Sequence, residues 1–478
     1  MDDSVFYASI SDLSARLRKR EFSSVELTKA FCDRLEKLGP RYNALALPLR
    51  EHAIRKAKDA DRDLKKERFR SPLQGIPYGA KDLLSFAGQP TAWGAAPFAG
   101  QVFKEDATVV KKLDKVGAVL IGKLAMVELA GGPSYRYAAA SATGPGLNPW
   151  DRTRWAGGSS SGSGSAVAAG LVGYALGSET SGSILTPSAF CGITGLRPTY
   201  GLVSRAGAMA LSWTLDKIGP MAHTAEDCGL ILQAIAGKDG DDPGSAGKSY
   251  YYAPQYVRPF SEMTLGFHPA DWDAHADPAT RPALQAALAA IRGLGFQVKE
   301  VEIPDFPYGP VIATILGGEA GSIFEDLIAS GDVDKLADAK QIAGLKATQD
   351  ILARDYLKAM RIRTLIRRAF QDLFYPVDIL ISPARNGIAG KVADPLDRPA
   401  PGSAAAAPAA PRSRGLQGLI PAANLAGLPA LCLPCGFADK MPVAVQLVGR
   451  AFSENLLLAV GKQYQSQTDW HKQHPPVA

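Results

Sequence analysis

Residues 22–39, FSSVELTKAFCDRLEKLG, carry apolar positions at helical spacing behind a capping box, with Ser23 three residues ahead of Glu26 and Phe22 set to staple onto Leu27. Gly39 and Pro40 end the pattern, so a helix is predicted here. Farther along, the period changes. DATVVKKLDKV at 106–116 keeps a helical pattern, and GAVLIGK at 117–123 is a short, continuous apolar run that predicts a buried strand. Residues 264–303 repeat the scheme as strand, helix (ATRPALQAALAAIRGLG) and strand (QVKEVEI). A helical region follows over about 309–374, then the strand VDILISP, and LCLPCGF and VAVQLVG supply two late apolar runs. Such alternation predicts an α/β fold built on a large, mixed, mostly parallel β-sheet flanked by helices. The opening 70 residues or so read as helical, and the Pro/Ala-rich segment 394–415 reads as a surface loop because regular patterns resume directly after it.

Composition excludes several classes of function. Hydrophobic residues make up 46% of the 478 positions, charged residues 21%, and no apolar run reaches a membrane-spanning length. The formal charge of +6 arises from 53 basic and 47 acidic residues interleaved in stretches such as HAIRKAKDADRDLKKERFR, a solvated helix face and no nucleic-acid footprint. The acidic start MDDSVFYASISDLSARLRKR lacks an apolar signal core, so a cytoplasmic location is expected. Five cysteines are too few and odd in number for a disulfide framework. Cys432 and Cys435 form a C-x-x-C, but with no second pair or histidine cluster nearby they read as buried thiols, and neither a metal nor a cofactor is expected.

The stretch WAGGSSSGSGSAVAAG at 155–170 holds five serines and five glycines and runs into an apolar segment, which argues against a flexible linker. Two motif matches compete for the chemistry. GAVLIGKL at 117–124 fits the frame of a phosphate-binding loop ending at Lys123, but Leu124 replaces the magnesium-binding hydroxyl and the loop positions want to be a strand. GSSSG at 158–162 would center a nucleophile elbow on Ser160, but no strand precedes it and none of the six histidines sits where a base would. A buried lysine can activate a serine instead, because desolvation favors the neutral amine. Lys81, between a Pro/Gly turn and an apolar patch in GIPYGAKDLLS, is the candidate, and a salt bridge to Asp82 or to a distant carboxylate is its alternative.

Five blocks, LQGIPYGAKDLL, GAVLIGKLAMVELA, NPWDRTRWAGGSSSGSGSAVAAG, LGSETSGSILTPSAFCGITGLRPTYG and the late LPALCLPCGF with VAVQLVG, together resemble the amidase signature family in order and spacing. The resemblance is strongest over 72–235 and extends from about 10 to 460, which implies a single amidase domain over 1–478. It implies a Ser-cisSer-Lys triad: Ser183 as nucleophile, Ser159 after a cis peptide bond as proton relay, and neutral Lys81 as base. The backbone N–H groups of Thr180, Ser181, Gly182 and Ser183 would form the oxyanion hole.

This chain departs from the family where Ser161 and Ser181 replace glycine, Glu179 replaces aspartate, and Leu185 replaces arginine. Leu185, with Met126, Tyr135, Tyr137 and Trp213, suggests a pocket for uncharged, even aromatic, groups. The expected function is a free-standing serine hydrolase of neutral amides, including aryl amides, carbamates (urethanes) and esters, acting on small molecules and water as a monomer or homodimer. The alternative the resemblance offers is the glutaminase-like A subunit of a tRNA-dependent amidotransferase.

Overall fold

The computed structural model describes residues 1–397 and 414–476. Most of the Pro/Ala-rich segment predicted as a surface loop therefore lies outside the described residues. The helix predicted at the N-terminus is present as Ser24–Leu38, and both halves of its capping box form, Ser23 Oγ accepting from Glu26 N at 3.1 Å and Glu26 Oε2 accepting from Ser23 N at 2.8 Å. Leu27, Phe31 and Leu35 on its inner face are fully buried against the first strands.

Eleven strands form a single sheet: β1 (Leu45–Pro48), β2 (Pro77–Lys81), β3 (Val119–Leu124), β4 (Tyr174–Glu179), β5 (Thr194–Arg197), β6 (Lys217–Ala222), β7 (Thr264–Phe267), β8 (Gln297–Glu300), β9 (Ile379–Pro383), β10 (Ala430–Ala438) and β11 (Met441–Gly449), in the order β1-β3-β2-β4-β6-β5-β10-β11-β9-β7-β8. The α/β class and the mixed sheet are as expected. The predominance of parallel pairs is not: four pairings are parallel (β2–β3, β2–β4, β7–β8, β7–β9) and the other six are antiparallel. The physical reason is burial on both faces. Strands such as β2, β4, β6 and β9 are buried at every position, so their sequences are continuous apolar or small-residue runs with no alternation to show which way the strand runs. Among the described residues only one strand, β8 at one edge, is exposed throughout.

The C-x-x-C falls on β10, where Cys432 and Cys435 are buried free thiols whose pKa burial raises far above the ordinary thiol value. Among the described residues no helix is long and apolar enough to cross a membrane, and no group of side chains is arranged to hold a metal ion.

Candidate active site

Strands β2 and β4 are parallel neighbors, with Tyr78 opposite Tyr174 and Ala80 opposite Leu176, so their carboxyl ends open on the same edge of the sheet. Lys81 is the last residue of β2, and Ser178 and Glu179 are the last two of β4. Between them runs the serine-rich loop, which feeds the buried helix Ser161–Ala168. Two of its glycines are required by geometry. Gly157 has φ of +88° and packs so closely on the Thr186–Pro187 backbone that a Cβ would lie 2.6 Å from Pro187 Cα. A Cβ on Gly158 would lie 2.8 Å from both Trp155 and Val127. The Gly158–Ser159 peptide bond is cis.

Lys81 is fully buried, and its Nζ donates to Ser159 Oγ at 2.8 Å and to Ser178 Oγ at 2.9 Å. It makes no ion pair among the described residues. Asp82, its sequence neighbor and the alternative partner, pairs instead with Lys123 at 2.9 Å, and Lys123 also donates to Thr91 Oγ1. Lys123 is thus a buried strand residue held by a carboxylate, not a phosphate ligand on an open loop. Desolvation drives the Lys81 pKa down to about 7, opposed only partly by the carboxylates of Asp216 and Glu179. Ser160, the elbow candidate, is fully buried, donates to Ser178 O at 3.2 Å and accepts from Ser178 N at 3.3 Å, a strut between the loop and β4.

Residues 180–183 turn from β4 into the helix Leu185–Cys191. The turn is pinned from three directions. Glu179 Oε2 accepts from the N–H groups of Ile184 and Leu185 at 2.9 and 3.0 Å, while Oε1 accepts from Arg197 at 2.7 Å and Asn424 at 2.9 Å. Burial alone would raise the Glu179 pKa, but Arg197 and these donors hold it below the ordinary carboxylate value. Thr180 Oγ1 donates to Asp216 Oδ1 at 2.6 Å, and Ser183 O accepts from Ser160 N at 3.3 Å. With Glu179 taking the two following N–H groups, those of Thr180, Ser181, Gly182 and Ser183 meet no protein acceptor among the described residues. Four successive unpaired donors at the end of a strand are a ready anion-binding surface.

A cavity of about 370 Å³ adjoins this turn, with Ser178 and Thr180 in its wall and Leu83, Met209, Leu211 and Trp213 supplying apolar surface. Arg205 in this wall pairs with Asp242 at 2.5 Å, Lys217 lies next to Asp216 with its pKa pushed well below the ordinary lysine value by burial, and Asp241 lines the cavity too.

Of the five residues the sequence suggests for a substrate pocket, Trp213 lines this cavity, 42% exposed. The other four do not. Leu185 is fully buried in an apolar cluster with Ala189, Leu215 and Ala423, because the first turn of its helix faces inward. Met126 is buried in the main core. Tyr135 packs on Trp155 beside Gly158, and Tyr137 is an exposed ring under Arg136. Sequence reasoning missed Ser178, Asp216, Arg197 and Asn424. Only Ser178 left a signal: it alternates with Glu179 on a strand, so the two face opposite sides of the sheet.

The chain belongs to the amidase family: residues 26–458 match the family described as Amidase. It is 36% identical over 491 residues to the A subunit of the glutamyl-tRNA(Gln) amidotransferase of Methylococcus capsulatus, covering 98% of each chain. Among solved structures it superposes on the peptide amidase of Stenotrophomonas maltophilia with a TM-score of 0.80 at 30% identity, covering 96% of this chain and 97% of that one. It superposes on the A subunit of the glutamyl-tRNA(Gln) amidotransferase of Thermotoga maritima with a TM-score of 0.78 at 27% identity, covering 98% and 96%. The protein is therefore an amidase signature hydrolase.

Proposed function

We propose that this chain hydrolyzes the C–N bonds of neutral amides, including aryl amides and carbamates, and related esters, through an acyl-enzyme on Ser183. The observation that carries the reading is Lys81: a buried amine with no carboxylate in ion-pair contact among the described residues, hydrogen-bonded to Ser159, whose pKa burial lowers to about 7. A neutral lysine accepts a proton where an ammonium cannot. Ser183 Oγ attacks the carbonyl carbon, its proton passes through Ser159 to Lys81, and the carbonyl oxygen takes up the negative charge against the open N–H groups of residues 180–183. When the C–N bond breaks, the relay returns the proton to the departing nitrogen. Water then attacks the acyl-enzyme by the same relay, and Ser183 is regenerated. Ser178, the second acceptor of Lys81, keeps Nζ aimed at Ser159.

The cavity beside Thr180 supports neutral substrates, since it offers apolar walls, its Arg205 is already paired with Asp242, and the carboxylates of Asp216 and Asp241 also line it. A fluorophosphonate probe is expected to label Ser183 stoichiometrically, and Ser183→Ala to abolish labeling and turnover together; labeling at Ser160 would return the nucleophile to the elbow position. The second reading, a glutaminase component working inside an amidotransferase, is favored by the curated relatives, which are amidotransferase A subunits 34–36% identical to this chain. It predicts glutamine as the preferred substrate and activity that appears only when a partner protein is added.

The place of Leu185 yields a prediction about the fold. Leu185→Arg puts a guanidinium into a buried apolar cluster, near a Glu179 already committed to Arg197 and Asn424, and is expected to lower stability by about 3 kcal/mol or more and to recruit no carboxylate substrate. Thermal denaturation with a parallel assay of succinamate checks it; an unchanged melting temperature with succinamate now hydrolyzed would put Leu185 on the pocket wall.

A further inference from the structure

A second cavity, of about 460 Å³, adjoins the first, with Tyr200 and Gly244 lining both. Tyr200 is held at the divide, its hydroxyl donating to Trp213 O at 2.8 Å and its ring stacked under Arg205 at 4.9 Å. The far wall of this second cavity is a turn of the helix Ala353–Leu373 that carries Arg363 and Arg367.

Arg363 is 8% exposed. Its Nε donates to Leu425 O at 2.9 Å and its Nη2 to Thr214 O at 2.7 Å, which fixes the guanidinium plane and leaves Nη1 without a protein acceptor among the described residues. Neither arginine forms an ion pair among the described residues. Glu319, the carboxylate that Arg363 feels, has both oxygens occupied by Ser212, Thr214 and Tyr356. Burial and the neighboring charge of Arg367 depress the Arg363 pKa, and Glu319 opposes them in part. A guanidinium more than nine-tenths buried beside a second one, on a cavity wall, feels Glu319 only at a distance and lacks the contacting carboxylate that buried cations ordinarily have.

We infer that the second cavity is a subsite for a carboxylate at the far end of an extended amide substrate, received by Arg363 and Arg367 while the scissile bond lies at Ser183. The inference rests on the hydrolase reading above. Two guanidiniums one helical turn apart present N–H forks that match a carboxylate, and the fixed plane of Arg363 lowers the entropy lost on binding. A short substrate leaves its charge among the apolar walls of the first cavity. A longer one carries it past Tyr200 to the arginines.

The test uses the full chain and two series of straight-chain acyl 4-nitroanilides of increasing length, one ending in carboxylate and one in methyl. The carboxylate is expected to be a handicap at short lengths and, past a threshold length, an advantage of about tenfold in KM that weakens as salt is raised. In Arg367→Gln, an exposed position where folding is not at stake, the ratio of kcat/KM between the two series should fall about tenfold at the long lengths only. Arg363→Lys, which keeps charge but loses the fork, should lower it by a smaller factor. An advantage absent at every length, or unchanged in both variants, or reproduced by adding free acetate to methyl-ended substrates, would overturn the subsite. If no anilide is cleaved and the fluorophosphonate fails to label Ser183, the hydrolase reading is what falls. The subsite is then judged by thermal shift with suberate, and an equal response of wild type and Arg367→Gln would sink it.

Discussion

Lys81→Ala is expected to lower kcat/KM on a neutral anilide by a factor of about a thousand or more, the range that loss of a positioned general base commands, while the fold is retained. Lys81→Arg should fail to rescue it, since a guanidinium stays protonated at any pH the protein tolerates. The pH profile gives the sharper reading. Burial lowers the Lys81 pKa to about 7, so the neutral amine dominates above that pH and the ammonium below it. Wild-type activity should therefore be full on the alkaline side and fall tenfold per pH unit below about 7, because in the proposed mechanism a protonated lysine cannot take a proton from Ser159. Ser178→Ala removes one of the two hydroxyls that hold Nζ and should cost less in rate than Lys81→Ala. A residual rate in Lys81→Ala that keeps the wild-type acid limb would remove the lysine from the mechanism.

The elements of this site differ in how far the sequence exposes them. Lys81 stands out as a candidate base from its own setting in the chain, whereas Ser159 and the 180–183 turn are picked out only by the family resemblance; the close backbone approach at Gly157 and Gly158 shows why the loop before Ser159 carries glycines there. Partnerships across the fold are not legible in the chain. The Lys81–Asp82 alternative stays open in the sequence because Asp82 lies just past the end of β2, where no strand alternation fixes its direction, and only β3, which delivers Lys123 to Asp82, decides it. Leu185 stands where a cation is common, and that suggests a pocket wall, whereas the inward face of the Leu185–Cys191 helix puts it in the core. The sheet shows the same limit: fully buried strands identify themselves as strands, but nothing in an apolar run records whether its neighbor is parallel. Arg363 and Arg367 resemble a solvated charged face in the sequence, and one of them is buried in a cavity wall.

Substitution of Glu179 is expected to combine the largest structural effect with an effect on rate. The Glu179–Arg197 ion pair has both side chains fully buried, and the same carboxylate receives Asn424 and the N–H groups of Ile184 and Leu185. Removing one partner of such a pair leaves the other charge in a medium that cannot solvate it, and the cost is about 3–5 kcal/mol. Glu179→Gln is expected to lose that much stability in denaturant unfolding, since Gln keeps the shape but cannot neutralize Arg197. The double variant Glu179→Gln/Arg197→Met removes the stranded charge and should recover much of the loss. Activity should not recover with it. The carboxylate also frees the N–H groups of residues 180–183 for a ligand by occupying the next two, so its loss lets the turn relax and misplaces Ser183 against Ser159. The outcome is read as a split: stability returning in the double variant while kcat stays at least tenfold below wild type. If kcat returned together with stability, Glu179 would be a structural anchor with no part in shaping the turn.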